Sequence, residues 1–198
     1  QSPFDSLNLA YHTPDVAEDV TQNRRIAAMS ILHAAHDIVT ARQVHGSRCV
    51  QVGTAADDIG EADALWSQQG GIVLGVMVAD CVPILITERK GRSIAAIHAG
   101  WRGTAARITA TCADALICQG AKVQDLVAAV GPAIGPCCFE IGEEVAKKMS
   151  ALSRQRNPGL CYEKDGRWRA DLWELNREIL LQKGFVSENI DVLRVCTY

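Results

Sequence analysis

Ile72-Val73-Leu74-Gly75-Val76-Met77-Val78 is an apolar run, rich in β-branched residues and as long as an ordinary strand. It predicts a β-strand. Residues 82–87 and 93–98 have a similar composition and predict two further strands. Apolar runs of this kind are typical of strands that are buried on both faces, and such burial requires helices on each side of the sheet.

Segments with helical periodicity lie before and after these apolar runs. Thr13 caps a helix with Pro14 at its first position, and apolar residues recur at helical spacing to about His36. The order of elements predicts an α/β or α+β fold. It places a mixed β-sheet between helical layers, and the length suits one domain or at most two small ones. The other helical patterns cover residues 104–119, 142–152 and 171–183, and the other strand patterns cover 38–44, 48–52, 126–130 and 190–196.

The composition excludes several classes of protein. The 198 residues carry a formal net charge of −3, without the basic surplus that nucleic-acid binding proteins usually show. No stretch reaches the ~18 apolar residues of a membrane span, and the first residues show no secretory signal. We therefore expect the eight cysteines to be reduced thiols of a cytoplasmic protein.

Three side chains of metal-binding type lie at the edges of apolar runs, namely His45, Cys81 and His98. Two imidazoles and one thiolate make three protein ligands, the number with which a catalytic zinc site keeps a fourth position open. Strand ends in α/β sheets converge on one crevice, which favours a joint site. Taken singly, His45 has a plainer interpretation as a polar turn residue, and Cys81 as an inert core thiol.

Further polar residues accompany these three. The loop Gly100-Trp101-Arg102-Gly103 leads into a helix, so Arg102 is suited to grip a phosphate or carboxylate, with a structural salt bridge as the alternative. Asp80 could support a ligating imidazole, act as a base or cap its loop. Cys196 could reach the same crevice or belong to the core of a strand.

Several motifs, in their order along the chain, resemble the YfiH family, whose members are also called laccase-domain or multicopper polyphenol oxidase-like proteins. The motifs span almost the whole chain, and those of the type His-Ala-Gly-Trp-Arg-Gly and Ala-Asp-Cys are specific. They are Phe4-Asp5-Ser6-Leu7-Asn8-Leu9, Asn23-Arg24, Gln43-Val44-His45-Gly46, Ala62-Asp63-Ala64, Ala79-Asp80-Cys81-Val82-Pro83, His98-Ala99-Gly100-Trp101-Arg102-Gly103, Gly131-Pro132-Ala133-Ile134-Gly135-Pro136, Phe139-Glu140-Ile141-Gly142, Asp171-Leu172 and Cys196-Thr197-Tyr198.

The resemblance implies a single domain over residues 1–198, with its mixed β-sheet in a three-layer α/β/α arrangement. It also implies one metal ion, usually zinc, held by His45, Cys81 and His98. Similar proteins cleave adenosine, inosine, guanosine or methylthioadenosine with phosphate, and they deaminate adenosine. Bacterial members are linked to peptidoglycan editing, and older descriptions call them copper-dependent polyphenol oxidases. The implied partners are a purine nucleoside and phosphate, with neither nucleic acid nor membrane, and we expect a monomer or homodimer.

Two departures from the family pattern stand out. His12-Thr13 continues directly into Pro14 without the usual Gly-Asp insert, and the chain ends at Tyr198. Relatives continue with an aromatic Ser-x-Arg-Arg segment, whose arginines would contact phosphate. We therefore expect a C-terminal segment of the domain, and its phosphate contacts, to be missing from this sequence.

The number of histidines argues for zinc over a copper cluster. A four-copper oxidase needs more histidines than the five in this chain, and His33 and His36 belong to the pattern of the first helix, with His12 beside its cap. One His₂Cys set could hold a single copper. Zinc lowers the pKa of bound water to about 7, which suits attack on C6 of adenine.

The preferred hypothesis assigns Cys81, Asp80 and Arg102 to catalysis, Arg102 and Asn8 to substrate binding, and His45, Cys81 and His98 to the metal. A metal-free cysteine hydrolase is the alternative, with Cys81 as nucleophile and Asp80 orienting a histidine base. In a third alternative zinc only stabilises the fold, and Cys196 fills its fourth position.

Overall fold

A computed structural model describes residues 7–11, 13–32, 38–55, 59–153 and 159–198. The helices are α1 (Ala17–Leu32), α2 (Trp101–Ala105), α3 (Ile108–Cys118), α4 (Glu143–Ser150) and α5 (Leu172–Gln182). The strands are β1 (Ile38–Val39), β2 (Cys49–Gln51), β3 (Ala64–Ser67), β4 (Val73–Leu74), β5 (Val82–Glu88), β6 (Ile94–Ala99), β7 (Leu126–Val130), β8 (Glu140–Ile141), β9 (Cys161–Lys164), β10 (Arg167–Ala170) and β11 (Ile190–Val192).

A six-stranded mixed sheet, in the order β11-β7-β5-β6-β3-β2, carries the core. β5 is antiparallel to both neighbours, β6 and β7, whereas the outer pairs β11–β7 and β2–β3 are parallel. Alternate side chains of β5 point to the helical face, where Ile84 and Ile86 join the buried cluster with Leu116 of α3 and Leu175 of α5. The mixed α/β fold is therefore confirmed.

The opposite face of the sheet is covered unevenly. At β3, Leu65 is buried in a second apolar cluster with Val39 of β1 and Ile72 beside β4. At β5, Leu85 is 55% exposed and lines an apolar groove of about 530 Å³ between β4 and the central strands. Burial of β5 on both faces was therefore a wrong expectation, because its residues alternate between a covered and an open face.

The strand predicted over residues 72–78 is much shorter than expected. Only Val73–Leu74 forms a strand, which pairs in parallel with Ile38–Val39. Beyond it, the backbone of Met77 bonds to a side chain instead of a strand: its N–H donates to Gln43 Oε1 at 2.7 Å, and its carbonyl accepts from Gln43 Nε2 at 2.7 Å. A side-chain amide thus takes the hydrogen bonds that a neighbouring strand would have supplied.

Other elements differ from the sequence prediction in their bounds. The helix expected over residues 104–119 is two helices, α2 and α3, because Arg107 between them has a left-handed φ of 60°. The small sheet β8-β10-β9 was not predicted, although Asp165-Gly166, both at positive φ, form the tight turn of its hairpin. The predicted helix over residues 171–183 is confirmed as α5, with Asp171 as its cap. The end of the first helix, near His36, lies outside the described residues.

A buried polar cluster fixes α2 against the two longer helices. Asn176 of α5 donates to Thr104 Oγ1 of α2 at 3.0 Å, and its Oδ1 accepts from Thr109 Oγ1 of α3 at 2.6 Å. All three residues are fully buried, so each hydrogen bond replaces lost contact with water. The position of α2, which carries the candidate site residue Arg102, therefore depends on Asn176.

No described helix is both long enough and apolar enough to cross a bilayer.

We predict that Asn176→Ala lowers the free energy of unfolding by about 3 kcal/mol, because it leaves two buried hydroxyls without their partner. Urea denaturation followed by circular dichroism measures the change. Glu144→Ala is the control, since Glu144 forms an exposed helix-surface pair with Lys148 and its loss should cost less than about 0.5 kcal/mol. Equal effects of the two substitutions would contradict the structural role of Asn176.

Candidate metal centre

The structure brings His45, Cys81 and His98 together, with ligand atoms that all lie within 4.8 Å of one another. The register of the central strands explains this meeting. His98, near the end of β6, faces Pro83, near the start of β5, in the antiparallel ladder. Cys81, just before β5, therefore reaches the end of β6. The candidate ligands therefore meet at one edge of the sheet, as expected. They do so because β5 and β6 are antiparallel, so that Cys81, just before β5, lies beside His98 near the end of β6.

The carboxylate of Asp63 is a shared acceptor beneath this group. His98 Nδ1 lies 2.8 Å from Asp63 Oδ1, and the backbone N–H groups of His45 and Gly46 donate to the same carboxylate at 2.9 and 2.7 Å. Burial by itself would raise the pKa of Asp63, but the hydrogen bonds from His98, Gly46, Val44 and His45 lower it below its usual range. A charged Asp63 holds Nδ1 of His98 as a donor and leaves Nε2 as the ligand atom.

His45 has an uncommon backbone conformation. Its φ of 59° lies in the left-handed region, which residues other than glycine rarely adopt. The N–H groups on either side of this position are held by Asp63, and the His45 ring meets the His98 ring edge to face, with centroids 4.7 Å apart. These hydrogen bonds compensate for the backbone strain at His45 and hold its exposed imidazole beside that of His98.

Two glycines allow the segments to approach closely. A Cβ on Gly100 would lie 2.9 Å from Cys81 Sγ and 3.2 Å from His45 Cδ2, and a Cβ on Gly103 would lie 3.0 Å from the carbonyl oxygen of Gly46. The first distance is shorter than real Cβ contacts allow. Glycine at position 100 is therefore a spatial requirement of the three-residue group.

Burial raises the pKa of the Cys81 thiol, and the charges of Asp80 and Asp63 raise it further. A nucleophilic cysteine needs the opposite environment, one that lowers its pKa. A metal cation would instead lower the pKa of the Cys81 thiol, because it binds the thiolate form and is attracted by the same two carboxylates. The donor set, the oriented His98 and the exposed His45 fit one zinc or copper ion with an open position.

Comparisons with known proteins identify the family. A family model described as multi-copper polyphenol oxidoreductase laccase matches residues 1–198. The chain is 35% identical over 197 residues to the purine nucleoside phosphorylase YfiH of Escherichia coli (strain K12), covering 99% of this chain and 78% of that protein. The chain belongs to the YfiH family.

Other relatives agree. The chain is 33% identical over 212 residues to adenosine deaminase RL5 from an unknown prokaryotic organism, which covers 100% of this chain and 79% of that protein. The crystal structure of YlmD from Geobacillus stearothermophilus has a TM-score of 0.89 and 32% identity, over 100% of this chain and 77% of that chain. The chain therefore shares both the sequence pattern and the fold of the YfiH family.

Arg102 and Asp80 lie close in sequence to the candidate ligands His98 and Cys81. Arg102 is exposed, and its guanidinium carbon lies 4.3 Å from the centroid of the Trp101 ring. No described carboxylate forms a salt bridge with it. The carboxylate of Asp80 accepts from Thr197 Oγ1 at 2.7 Å. Support of the ligating imidazole, which the sequence suggested for Asp80, is provided by Asp63 instead.

Asn8 and Cys196 lie in other surroundings. The Asn8 amide donates to Thr13 Oγ1 and Asp15 Oδ2, both at 2.8 Å, so its hydrogen bonds close the turn that leads into α1. Cys196 groups with Cys137 and Cys138 rather than with the three candidate ligands. His12, His33 and His36 lie outside the described residues.

Asp63 is the site residue to which the sequence analysis gave no role. It appeared only within the motif Ala62-Asp63-Ala64, directly before a strand that is buried throughout. A single acidic residue between apolar neighbours, at the start of a buried strand, is the signal that could have indicated a buried and partnered carboxylate.

We predict that Asp63→Asn weakens zinc binding about 10–100-fold, because the amide orients His98 and supports its basicity less well than a carboxylate. Zinc affinity is measured by competition with a chromophoric chelator. Asp191→Asn is the control, since Asp191 is exposed on the edge strand β11. Wild-type affinity in Asp63→Asn would contradict the role given to this carboxylate.

We also predict that Gly100→Ala lowers zinc affinity by at least about 10-fold while the protein still folds, because the added methyl group displaces Cys81 Sγ. The matched control is Gly70→Ala, where a Cβ would meet nothing within 4 Å. Equal zinc affinities of the two variants, at equal thermal stability, would show that the close approach at Gly100 is unimportant.

Proposed function

We propose that this protein is a zinc-dependent purine nucleoside enzyme. It would cleave adenosine, inosine, guanosine or methylthioadenosine with phosphate, and it would deaminate adenosine. The observation that carries the proposal is the group of His45, Cys81 and His98, with the imidazole of His98 held by the buried Asp63. Relatives at 33–37% identity named purine nucleoside phosphorylase support it, as does the relative named adenosine deaminase.

The ligands differ in exposure in a way that suits substrate access. His98 is buried, Cys81 is half-buried and His45 is exposed, so the group opens toward solvent on the His45 side. His45, Cys81 and His98 would hold the ion. When bound, zinc supplies Lewis acidity and, by lowering the pKa of water to about 7, a nucleophile at neutral pH.

Arg102 is the proposed contact for phosphate. Its side chain is exposed two residues beyond Gly100, whose Cα borders Cys81 and His45. Stacking on Trp101 limits the orientations of the guanidinium without using its hydrogen-bond donors. A planar guanidinium can bind two oxygens of a phosphate or of ribose 1-phosphate together.

Asp80 is the proposed proton-transfer group. It directly precedes Cys81, and its hydrogen bond from Thr197 fixes one carboxylate oxygen. The second oxygen would take a proton from water or return one to the purine.

Asn8 is retained as a candidate substrate contact, which its side chain would reach through motion of its turn. We also propose that the protein is cytoplasmic, with reduced cysteines, and is a monomer or homodimer.

The two other catalytic hypotheses fit less well. A metal-free cysteine hydrolase acting in peptidoglycan editing would need Cys81 as a thiolate, whereas burial and the nearby carboxylates raise the pKa of that thiol. Copper-dependent oxidation of polyphenols would rely on a single copper in a trigonal His₂Cys set. The whole chain has five histidines, which is fewer than a four-copper oxidase needs.

Incubation of the zinc-loaded protein with adenosine and phosphate tests the proposal. We expect adenine and ribose 1-phosphate from phosphorolysis and inosine from deamination, resolved by liquid chromatography. His98→Ala should lose zinc and at least about 100-fold of both activities, since it removes a ligand. Cys118→Ala is the control, because Cys118 is an exposed cysteine at the end of α3.

Different results would favour other functions. Unchanged nucleoside turnover in metal-free His98→Ala would refute the zinc mechanism. Loss of turnover on selective alkylation of Cys81 in a metal-free wild-type enzyme would favour the cysteine hydrolase. Oxidation of a polyphenol only after copper loading would favour the oxidase.

A further inference from the structure

A second group of metal-binding side chains lies apart from the candidate metal centre. The sulfur atoms of Cys137, Cys138 and Cys196 all lie within 4.8 Å of one another, and those of Cys137 and Cys138 are 3.4 Å apart. Cys137 is exposed and the other two are half-buried, so an ion could reach the group from solvent. All three are free thiols.

The backbone brings the three cysteines together from distant parts of the chain. Ala133 forms a parallel bridge with Cys196, and the N–H of Thr197 donates to the carbonyl of Ala133 at 3.2 Å. The N–H groups of Cys138 and Phe139 both donate to the carbonyl of Gly135, which closes a turn around Cys137. The adjacent cysteines are therefore presented by a hydrogen-bonded turn beside the segment that carries Cys196.

Backbone hydrogen bonds favour the anionic form of Cys196, whereas the hydrogen bond with Cys137 raises the pKa of Cys138 to about 11, so Cys138 would lose its proton only on binding the cation. The N–H of Gly135 donates to Cys196 Sγ at 3.2 Å, and the backbone amides of Gly135 and Tyr198 lower the pKa of Cys196. Arg169 donates to the carbonyl of Cys137 and so places a guanidinium against the same turn. Its buried Nε has no hydrogen-bond partner among the described residues.

We propose that Cys137, Cys138 and Cys196 bind one soft, thiophilic cation through three sulfur ligands, with Cu(I) preferred over Zn(II). Metal–sulfur bonds of about 2.3 Å place ligand sulfurs roughly 3.8–4.0 Å apart. The sulfurs of Cys137 and Cys138, at 3.4 Å, are closer than that value, and Cys196 Sγ lies within 4.8 Å of both, so movements of less than about 1 Å complete the geometry.

The composition of the group decides between the cations. Thiolates without imidazole or carboxylate select soft ions such as Cu(I). Structural zinc sites usually have four protein ligands, whereas this group has three. The candidate metal centre, with two imidazoles and one thiolate, has the more zinc-like donor set.

An anaerobic titration of the reduced, zinc-loaded protein with Cu(I), buffered by bicinchoninate, tests the proposal. We expect the wild-type protein to bind one more Cu(I) than Cys137→Ser/Cys138→Ser, and the double variant to lose at least about 100-fold in affinity. X-ray absorption of the copper-loaded protein should show three sulfur neighbours at about 2.3 Å.

Cys118→Ser is the matched control, since it removes an exposed thiol outside the group and should leave the copper count unchanged. If the double variant does not fold, Cys137→Ser alone replaces it, because Cys137 is exposed. Equal copper binding by wild type and cysteine variant would overturn the site. Displacement of the bound Cu(I) by an equal concentration of Zn(II) would overturn the choice of cation.

Discussion

The candidate metal centre depends on the buried carboxylate of Asp63. Asp63 is only 1% exposed, and a buried charge is unfavourable unless it is hydrogen-bonded. The segments around Asp63 must therefore provide hydrogen-bond donors. His98 and the backbone of residues 44–46 deliver them. The same hydrogen bonds that stabilise the charge of Asp63 therefore position two of the three candidate ligands. Solvation of one carboxylate and assembly of the site are a single structural requirement.

The third ligand is positioned by packing rather than by charge. Cys81 reaches the group because β5 begins where β6 ends, and because Gly100 offers no side chain in the way. The buried contacts of Asn176 hold α2, and the loop before it, against the core. A change in the sheet register would move Cys81 relative to His98 and leave Asp63 with its donors. The site thus combines an electrostatic anchor with a steric fit.

The sequence predicted those parts of the molecule whose signals are local. His45, Cys81 and His98 were identified because ligand side chains at the edges of apolar runs, within specific motifs, are recognisable along the chain. β5 and β6 followed from their composition, and α5 from its periodicity and its cap. Asp63, in contrast, accepts hydrogen bonds from residues 17 to 35 positions away, and nothing in its neighbours indicates which donors it will meet.

The same limit explains the errors in the strands. Residues 72–78 have the composition of a strand, but Gln43 supplies the hydrogen bonds of Met77, and this pairing spans 34 positions. The missed β9–β10 hairpin is a different case. Its Asp-Gly turn is a local signal that predicts a hairpin, and it was available in the sequence. The long-range side-chain hydrogen bonds of Gln43 could not be predicted from the sequence, whereas the Asp-Gly turn could have been.

Cys81 and Cys196 show how the fold differentiates identical side chains. Burial and two carboxylates raise the pKa of Cys81, whereas backbone amides lower that of Cys196. Asp80 connects their surroundings: its carboxylate accepts from Thr197, next to Cys196, and its carbonyl accepts from the N–H of Ile134. Because the N–H of Thr197 also donates to the carbonyl of Ala133, one chain of hydrogen bonds joins the segments that carry Cys81 and Cys196, although the two thiols have opposite pKa shifts.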